Sequence, residues 1–212
     1  THRVMLAHIS RAAACRVLGL DYRLAPENPF PAPIEDTVAA YRWLLSNGAR
    51  PEDIVFGGDS AGGGLVVSAL VALRYLGEPL PAAAVCISAW GDMEATGHSY
   101  TSNAEVDPSV SRDRILKIGK VYMADKDPRA PLASPIYADL HGLPPLLFQV
   151  GSIETLLDDT NTLAENAKEA GVKVDVEIWD DMPHVWHHYA PILPEARDAI
   201  SSIGEFVRRH TG

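Results

Sequence analysis

Residues 57–64 read Gly57-Gly-Asp-Ser60-Ala-Gly-Gly-Gly64. They follow the short apolar run Asp53-Ile-Val-Phe56 and precede the helical pattern Leu65-Val-Val-Ser-Ala-Leu-Val-Ala-Leu-Arg-Tyr75. A strand, a sharp glycine-walled turn with Ser60 at its apex, then a helix make the physical form of a nucleophile elbow. Such a turn strains the backbone at Ser60. It also predicts that Gly58 and Gly62 must lack side chains, since a Cβ there would meet the neighbouring strand or helix. The hydroxyl is left exposed above the sheet, and the N–H groups that open the helix, Ala61's among them, form an anion site beside it.

Gly-x-Ser-x-Gly is a weak signal in a chain with 16 glycines among 212 residues, so context has to decide. A dinucleotide fingerprint fails because Asp59 and Ser60 stand where it needs glycine. A P-loop fails because Leu65, not Lys and Ser/Thr, follows the last glycine. The plain alternative is a strand–helix turn with a bystander serine.

The bulk numbers fit a single soluble domain over 1–212, large enough to bury its own core: 47% hydrophobic and 22% charged residues. A net charge of −10 argues against nucleic acid and anionic membrane as partners. Cys15 and Cys86 both fall in apolar runs that read as buried strands, which favours reduced core thiols over a bridge. No apolar run reaches membrane-spanning length and no signal-peptide architecture opens the chain, so the expected location is cytoplasmic.

Along the chain, residues 1–14 read as the body of an amphipathic helix and Cys15-Arg-Val-Leu-Gly-Leu-Asp21 as a buried strand. The Pro-rich stretch 24–33 must be loop, and 34–46 a helix. Short apolar runs at 54–56, 82–87 and 146–150 alternate with helices, which predicts an α/β fold with a mostly parallel, doubly covered sheet. An insertion at about 91–134 carries a helix near 110–122. Val172, Val174, Val176 and Ile178 alternate with Lys173, Asp175 and Glu177, as in an edge strand with one wet face. A helix at about 195–209 closes the chain.

A serine hydroxyl needs a base within hydrogen-bond reach and a third group to orient that base. In a parallel sheet such groups collect where strands end. The loop after Val150 offers Glu154, Asp158 and Asp159; the loop after Ile178 offers His184 and Trp186. Asp158 and Asp159 are rival acids, but at the start of a helix their simpler role is to satisfy its free N–H groups. His184, His187 and His188 have a spacing that could seat a metal, yet no cysteine or carboxylate completes such a site, so no metal is assigned. His187 and His188 read as surface residues or residues against the last helix. Asp59, Trp90 and Trp186 are the candidate substrate-binding residues; the two Trp rings follow strands at the nucleophile's end of the sheet, lining an ester pocket or packing in the core.

Nearly the whole chain resembles the hormone-sensitive-lipase-like branch (bacterial family IV) of the α/β-hydrolase superfamily. The residues that carry the resemblance are Gly58-Asp-Ser-Ala-Gly-Gly63, Asp21-Tyr-Arg-Leu-Ala-Pro-Glu27, Ser88-Ala-Trp90, Ser134-Pro135 and Gly142-Leu-Pro-Pro145. The resemblance implies a carboxylic ester hydrolase of short- to medium-chain acyl esters that works without a cofactor. It implies the order serine, acid, histidine, met by Ser60, Glu154 and His184, with His184 as base and then acid. Many relatives carry Asp where Glu154 stands; the extra methylene asks the loop to retreat slightly. The strand at 172–178 takes the last place in the implied sheet, where relatives pair across a dimer axis; a homodimer and a monomer with a protected edge both stay open.

Ala61 supplies one oxyanion donor. The family's His-Gly-Gly-Gly loop, which supplies the rest, does not occur in residues 1–212. The reading therefore expects a chain that lacks its cap and first strands, a gap in the sheet between the Cys15 and Ile54 strands, and an N-terminal segment as the chain's own partner. Competing readings are a long-chain lipase, a receptor-like binding protein on the same fold, of the kind that has lost the catalytic histidine, and an inert fragment.

Overall fold

The computed structural model describes residues 2–211. In chain order the elements are α1 (Arg3–Ala13), α2 (Ala32–Ser46), β1 (Val55–Asp59), α3 (Ala61–Tyr75), β2 (Ala83–Ile87), the single turn α4 (Ser99–Ser102), α5 (Arg112–Met123), β3 (Leu146–Gly151), α6 (Leu157–Glu169), β4 (Val174–Trp179) and α7 (Pro194–His210). The four strands lie side by side as β1-β2-β3-β4, every pair parallel. Parallel neighbours need a crossover, and α3, the α4–α5 insertion and α6 supply the three.

The pleat sorts the core into two layers. Ala84 and Cys86 of β2, with Leu146 and Phe148 of β3, face Val66, Val67, Leu70 and Val71 of α3 and Leu163, Ala164 and Ala167 of α6. Ala83, Val85, Ile87 and Leu147 face the other way, onto Met5 and Ala13 of α1 and Ile203, Phe206 and Val207 of α7. Helix α3 is apolar nearly all round because its far side is also covered, by Ile34, Val38 and Tyr41 of α2. Helix α2 starts at Ala32, two residues before the sequence suggests, with Pro33 tolerated in its first turn. Among the described residues no helix is long and apolar enough to cross a membrane.

Three expectations need correction. Residues 16–24 form no strand: they have no ladder partner, Leu18 and Leu24 are more than half exposed, and Cys15 is exposed while Cys86 is buried. An apolar run becomes a buried strand only beside another strand, and the described sheet ends at β1, as a continuous sheet with no internal gap. What fixes the segment instead is Arg23, which binds Asp36 at 2.8 Å and Glu35 at 3.0 Å at the start of α2 and holds the Asp36 carboxyl below its usual range. On the edge strand β4, the wet face is partial. Asp175 meets Arg209 at 3.2 Å, but Glu177 accepts hydrogen bonds from Gln149 and Ser202, while Ile178 is half exposed.

The third correction concerns the elbow. A Cβ on Gly58 would lie 2.3 Å from the Gly62 carbonyl oxygen, and one on Gly64 would lie 1.9 Å from the Trp90 carbonyl oxygen. A Cβ on Gly62 would meet nothing within 4 Å. Gly62 is thus the backbone that Gly58 must avoid and has room for a side chain of its own. The α3 helix sits this close to β1 and to the end of β2 because Gly58 and Gly64 carry no side chain. Gly64→Ala is expected to cost about 1–3 kcal/mol or more in urea unfolding, while Gly62→Ala stays within about 1 kcal/mol of the parent or gains from helix propensity.

Candidate active site

Strand β1 ends at Asp59 and α3 begins at Ala61, which leaves Ser60 to make the turn alone, at φ 55° and ψ −120°. That φ is uncommon for a residue with a Cβ and marks stored strain. The surroundings hold it in place: the Ser60 N–H donates to the Ile87 carbonyl at 2.9 Å, and its own carbonyl accepts from Gly63, Gly64 and Trp90. Ala61, as the first residue of α3, has an N–H with no intrahelical acceptor, next to the serine hydroxyl.

The loops after β3 and β4 bring the partners. His184 Nε2 lies 2.9 Å from Ser60 Oγ, and His184 Nδ1 lies 2.8 Å from Glu154 Oε2. A carboxylate can only accept, so Nδ1 carries its proton toward Glu154 and Nε2 turns a lone pair on the serine hydroxyl. Glu154 is fully buried. Its second oxygen, Oε1, accepts from the Gly151 N–H at 2.7 Å and the Ser88 hydroxyl at 2.8 Å, so three donors converge on the one carboxylate. A buried ionised group survives only with such partners.

The rival acids stand elsewhere. Asp158 accepts from the Ser99 N–H at 2.8 Å; Asp159 accepts from the Gly91 and Asp92 N–H groups and from Tyr100. Neither caps α6, which has no side-chain cap. Both bind the 91–100 stretch, and burial beside Asp92 pushes the Asp159 carboxyl up to about 8.

Of the candidate pocket residues, Trp90 lines a cavity and the other two do not. Trp186 is fully buried against Trp179, Ala196, Ala199 and Ile200, on the α7 side of the sheet. Asp59 lies 3.1 Å from His2. The cavity, about 460 Å³, opens beside Ala61 and Gly64 and runs between Tyr22 and Leu24 on one side and Ile118 and Val121 of α5 on the other. Tyr22 and Leu24 were visible only as part of a family-like stretch, and nothing in the sequence pointed to Ile118 and Val121, because a loop and a helix far apart in the chain meet here. Ser88 was visible only as part of a family-like stretch at the end of a buried strand.

The histidine triplet separates. His184 is engaged as above, while His187 is fully buried, with Nε2 donating to Gln149 Oε1 at 2.7 Å and Nδ1 lacking a partner. It is neither at the surface nor part of a metal group. His188 instead forms, with His2 and Asp59, a set whose ligand atoms lie within 4.8 Å of one another.

A serine on a strained strand-to-helix turn, followed in hydrogen-bond order by a histidine and a buried carboxylate on a parallel sheet, is the arrangement that defines a serine hydrolase on an α/β scaffold. The chain belongs to the α/β-hydrolase family, in its hormone-sensitive-lipase-like branch: the model of the alpha/beta hydrolase fold matches residues 1–188. An acetyl-hydrolase of Streptomyces hygroscopicus is 50% identical over 212 residues, covering 100% of this chain and 71% of that protein. An esterase of Acinetobacter venetianus is 35% identical over 97% of this chain and 68% of its own length. The crystal structure of an esterase from the bacterial hormone-sensitive lipase family superposes with a TM-score of 0.99 at 70% identity, over 100% of this chain and 71% of that one.

Burial, helped by the nearby His188, pushes the His187 imidazole down to about 3. The unfolded chain takes up a proton near pH 6.5 that the folded chain refuses until about pH 3. The stability this group contributes is therefore complete above about 6.5 and declines as pH falls toward 3. Between pH 7 and pH 5 His187 should account for roughly 2 kcal/mol of lost stability. Urea unfolding of the parent and of His187→Gln at both values measures it: the variant should lose that much less on acidification.

Proposed function

We propose that this chain hydrolyses carboxylic esters of short to medium acyl length through a serine acyl-enzyme, with Ser60 as nucleophile, His184 as general base and Glu154 as the acid that orients it. The observation that carries the reading is the continuous relay of 2.9 and 2.8 Å from Ser60 through His184 to Glu154. His184 Nε2 takes the hydroxyl proton as Oγ attacks the ester carbonyl carbon, and Glu154 stabilises the imidazolium that forms. The oxyanion of the tetrahedral intermediate turns toward the Ala61 N–H at the positive end of α3. His184 returns the proton to the departing alcohol. It then takes a proton from water, which attacks the acyl-enzyme and releases the acid while Ser60 regains its hydrogen.

The apolar cavity beside Ala61 supports the acyl preference. Its volume of about 460 Å³ lies in the lower half of the range of about 300–1,000 Å³ typical of small-molecule sites. A solved relative, EstE5, 52% identical to this chain, was soaked with p-nitrophenyl butyrate, an ester of that size class. The receptor-like reading rests on loss of the histidine, and here His184 bonds both of its partners.

A fluorophosphonate probe should label Ser60 alone, and Ser60→Ala should abolish labelling; a surviving signal overturns the nucleophile. Glu154→Ala should slow labelling by roughly 10³–10⁴-fold. Asp158→Ala should leave the rate near the parent's and lower stability by about 1 kcal/mol, for the hydrogen bond to Ser99. The reverse pattern would move the acid to Asp158. Turnover of p-nitrophenyl esters should fall once the acyl chain outgrows the cavity.

A further inference from the structure

We infer that Ser88 is a positioning residue for the relay, locking the carboxylate of Glu154 and the loop of His184 into one geometry through a single hydroxyl. The inference rests on the assignment of Glu154 as the orienting acid and adds a residue that neither the elbow nor the serine–acid–histidine order contains.

Ser88 is fully buried and follows β2 directly, at the same sheet end as Ser60. Its backbone has a φ of 48°, in the left-handed region where glycine is the residue without steric cost. A serine persists there although glycine would relieve the strain, and strain of this kind is held by its surroundings at functional sites. The hydroxyl is what glycine lacks. Ser88 Oγ accepts the Val185 N–H at 3.2 Å, so its one proton is free to donate to Glu154 Oε1 at 2.8 Å. Val185 is the residue after His184 and itself has a φ of 50°. The Ser88 N–H donates to the Gln149 carbonyl on β3 at 2.7 Å, which ties the turn to the strand that leads into the Glu154 loop. One oxygen thus joins the end of β2 to both loops that form the relay. With Oε1 held by Ser88 and Gly151, the carboxylate cannot rotate, and Oε2 stays on His184 Nδ1. The Ser88 hydroxyl bonds Glu154 and the Val185 N–H rather than Ser60, and Ser88 does not line the cavity, so it acts through the acid and the His184 loop.

The test is Ser88→Gly, which removes the hydroxyl and suits the backbone. Relief of the backbone strain offsets part of the two lost hydrogen bonds, so the variant's thermal midpoint should fall only modestly, while the rate of fluorophosphonate labelling at Ser60 falls roughly 10- to 100-fold. In turnover of a short p-nitrophenyl ester the loss should lie in kcat with KM nearly unchanged. In the Glu154→Ala background, Ser88→Gly should slow labelling clearly less than it does in the parent, since only its hold on the Val185 N–H then remains to be lost. A role confined to packing would slow both backgrounds alike, and that result overturns the inference. A parent-like rate in Ser88→Gly overturns it as well. If Ser88→Gly does not fold, Ser88→Ala takes the same readings. The downfield proton resonance of His184 Nδ1–H gives a reading independent of turnover. It should move upfield or broaden in Ser88→Gly, and an unmoved signal contradicts the positioning role. A parent that fails to label at Ser60 would instead overturn the nucleophile assignment and leave this resonance to decide the question of Ser88.

Discussion

The site depends on how closely two pieces of backbone approach each other. Gly58 on β1 and Gly62 in the first turn of α3 leave no room between them for a methyl group on Gly58. That contact lets the chain reverse within one residue. Were the strand and helix a few ångströms further apart, Ser60 would sit in an ordinary loop with an ordinary φ. Its hydroxyl would then not stand clear of the sheet, and the Ala61 N–H would not lie beside it. Gly64 repeats the constraint two residues on, against the Trp90 carbonyl. The strain at Ser60 is local, but its support comes from β2, whose end accepts the Ser60 N–H, and from Trp90, three residues further on, which returns a hydrogen bond to the Ser60 carbonyl.

A parallel sheet converts this one turn into a site. All four strands point the same way, so every loop that follows a strand opens at the same end. Residues separated by more than a hundred positions meet without a long-range device other than the strand ladder: Ser60 and His184 are 124 apart in sequence and 2.9 Å apart in space. Burial of Glu154 does the rest. A carboxylate withdrawn from water must keep all of its donors, and those donors sit just after β2, at the end of β3 and on the loop after β4, so the acid cannot shift unless all three move.

This explains which parts of the molecule could be read from sequence. Ser60, Glu154 and His184 were legible because an elbow has a local signature and because strand ends in an α/β sheet are predictable places to search. The Cys15–Asp21 run was misread because strand formation depends on a partner, and hydropathy does not reveal one. Glu177 was misread for a related reason. Alternation along β4 predicts a wet face, but the amide of the buried Gln149 on the neighbouring strand donates to Glu177 and draws that carboxylate inward. Trp186 lay at the correct end of the sheet yet on the α7 side, a distinction that needs the third dimension. Asp158 and Asp159 looked like helix caps from their position and in fact bind the insertion to α6.

The cavity has a different origin from the relay beside it. Tyr22 and Leu24 come from an irregular segment pinned to α2 by Arg23, and Ile118 and Val121 come from a helix of the insertion between β2 and β3. None of the four contributes a hydrogen bond to Ser60, His184 or Glu154. The volume of the space and the chemistry at its mouth are therefore inherited separately. A lineage that exchanged side chains along α5 would drift from one acyl group to another while its acyl-transfer machinery stayed fixed, and specificity in this architecture can diverge faster than mechanism.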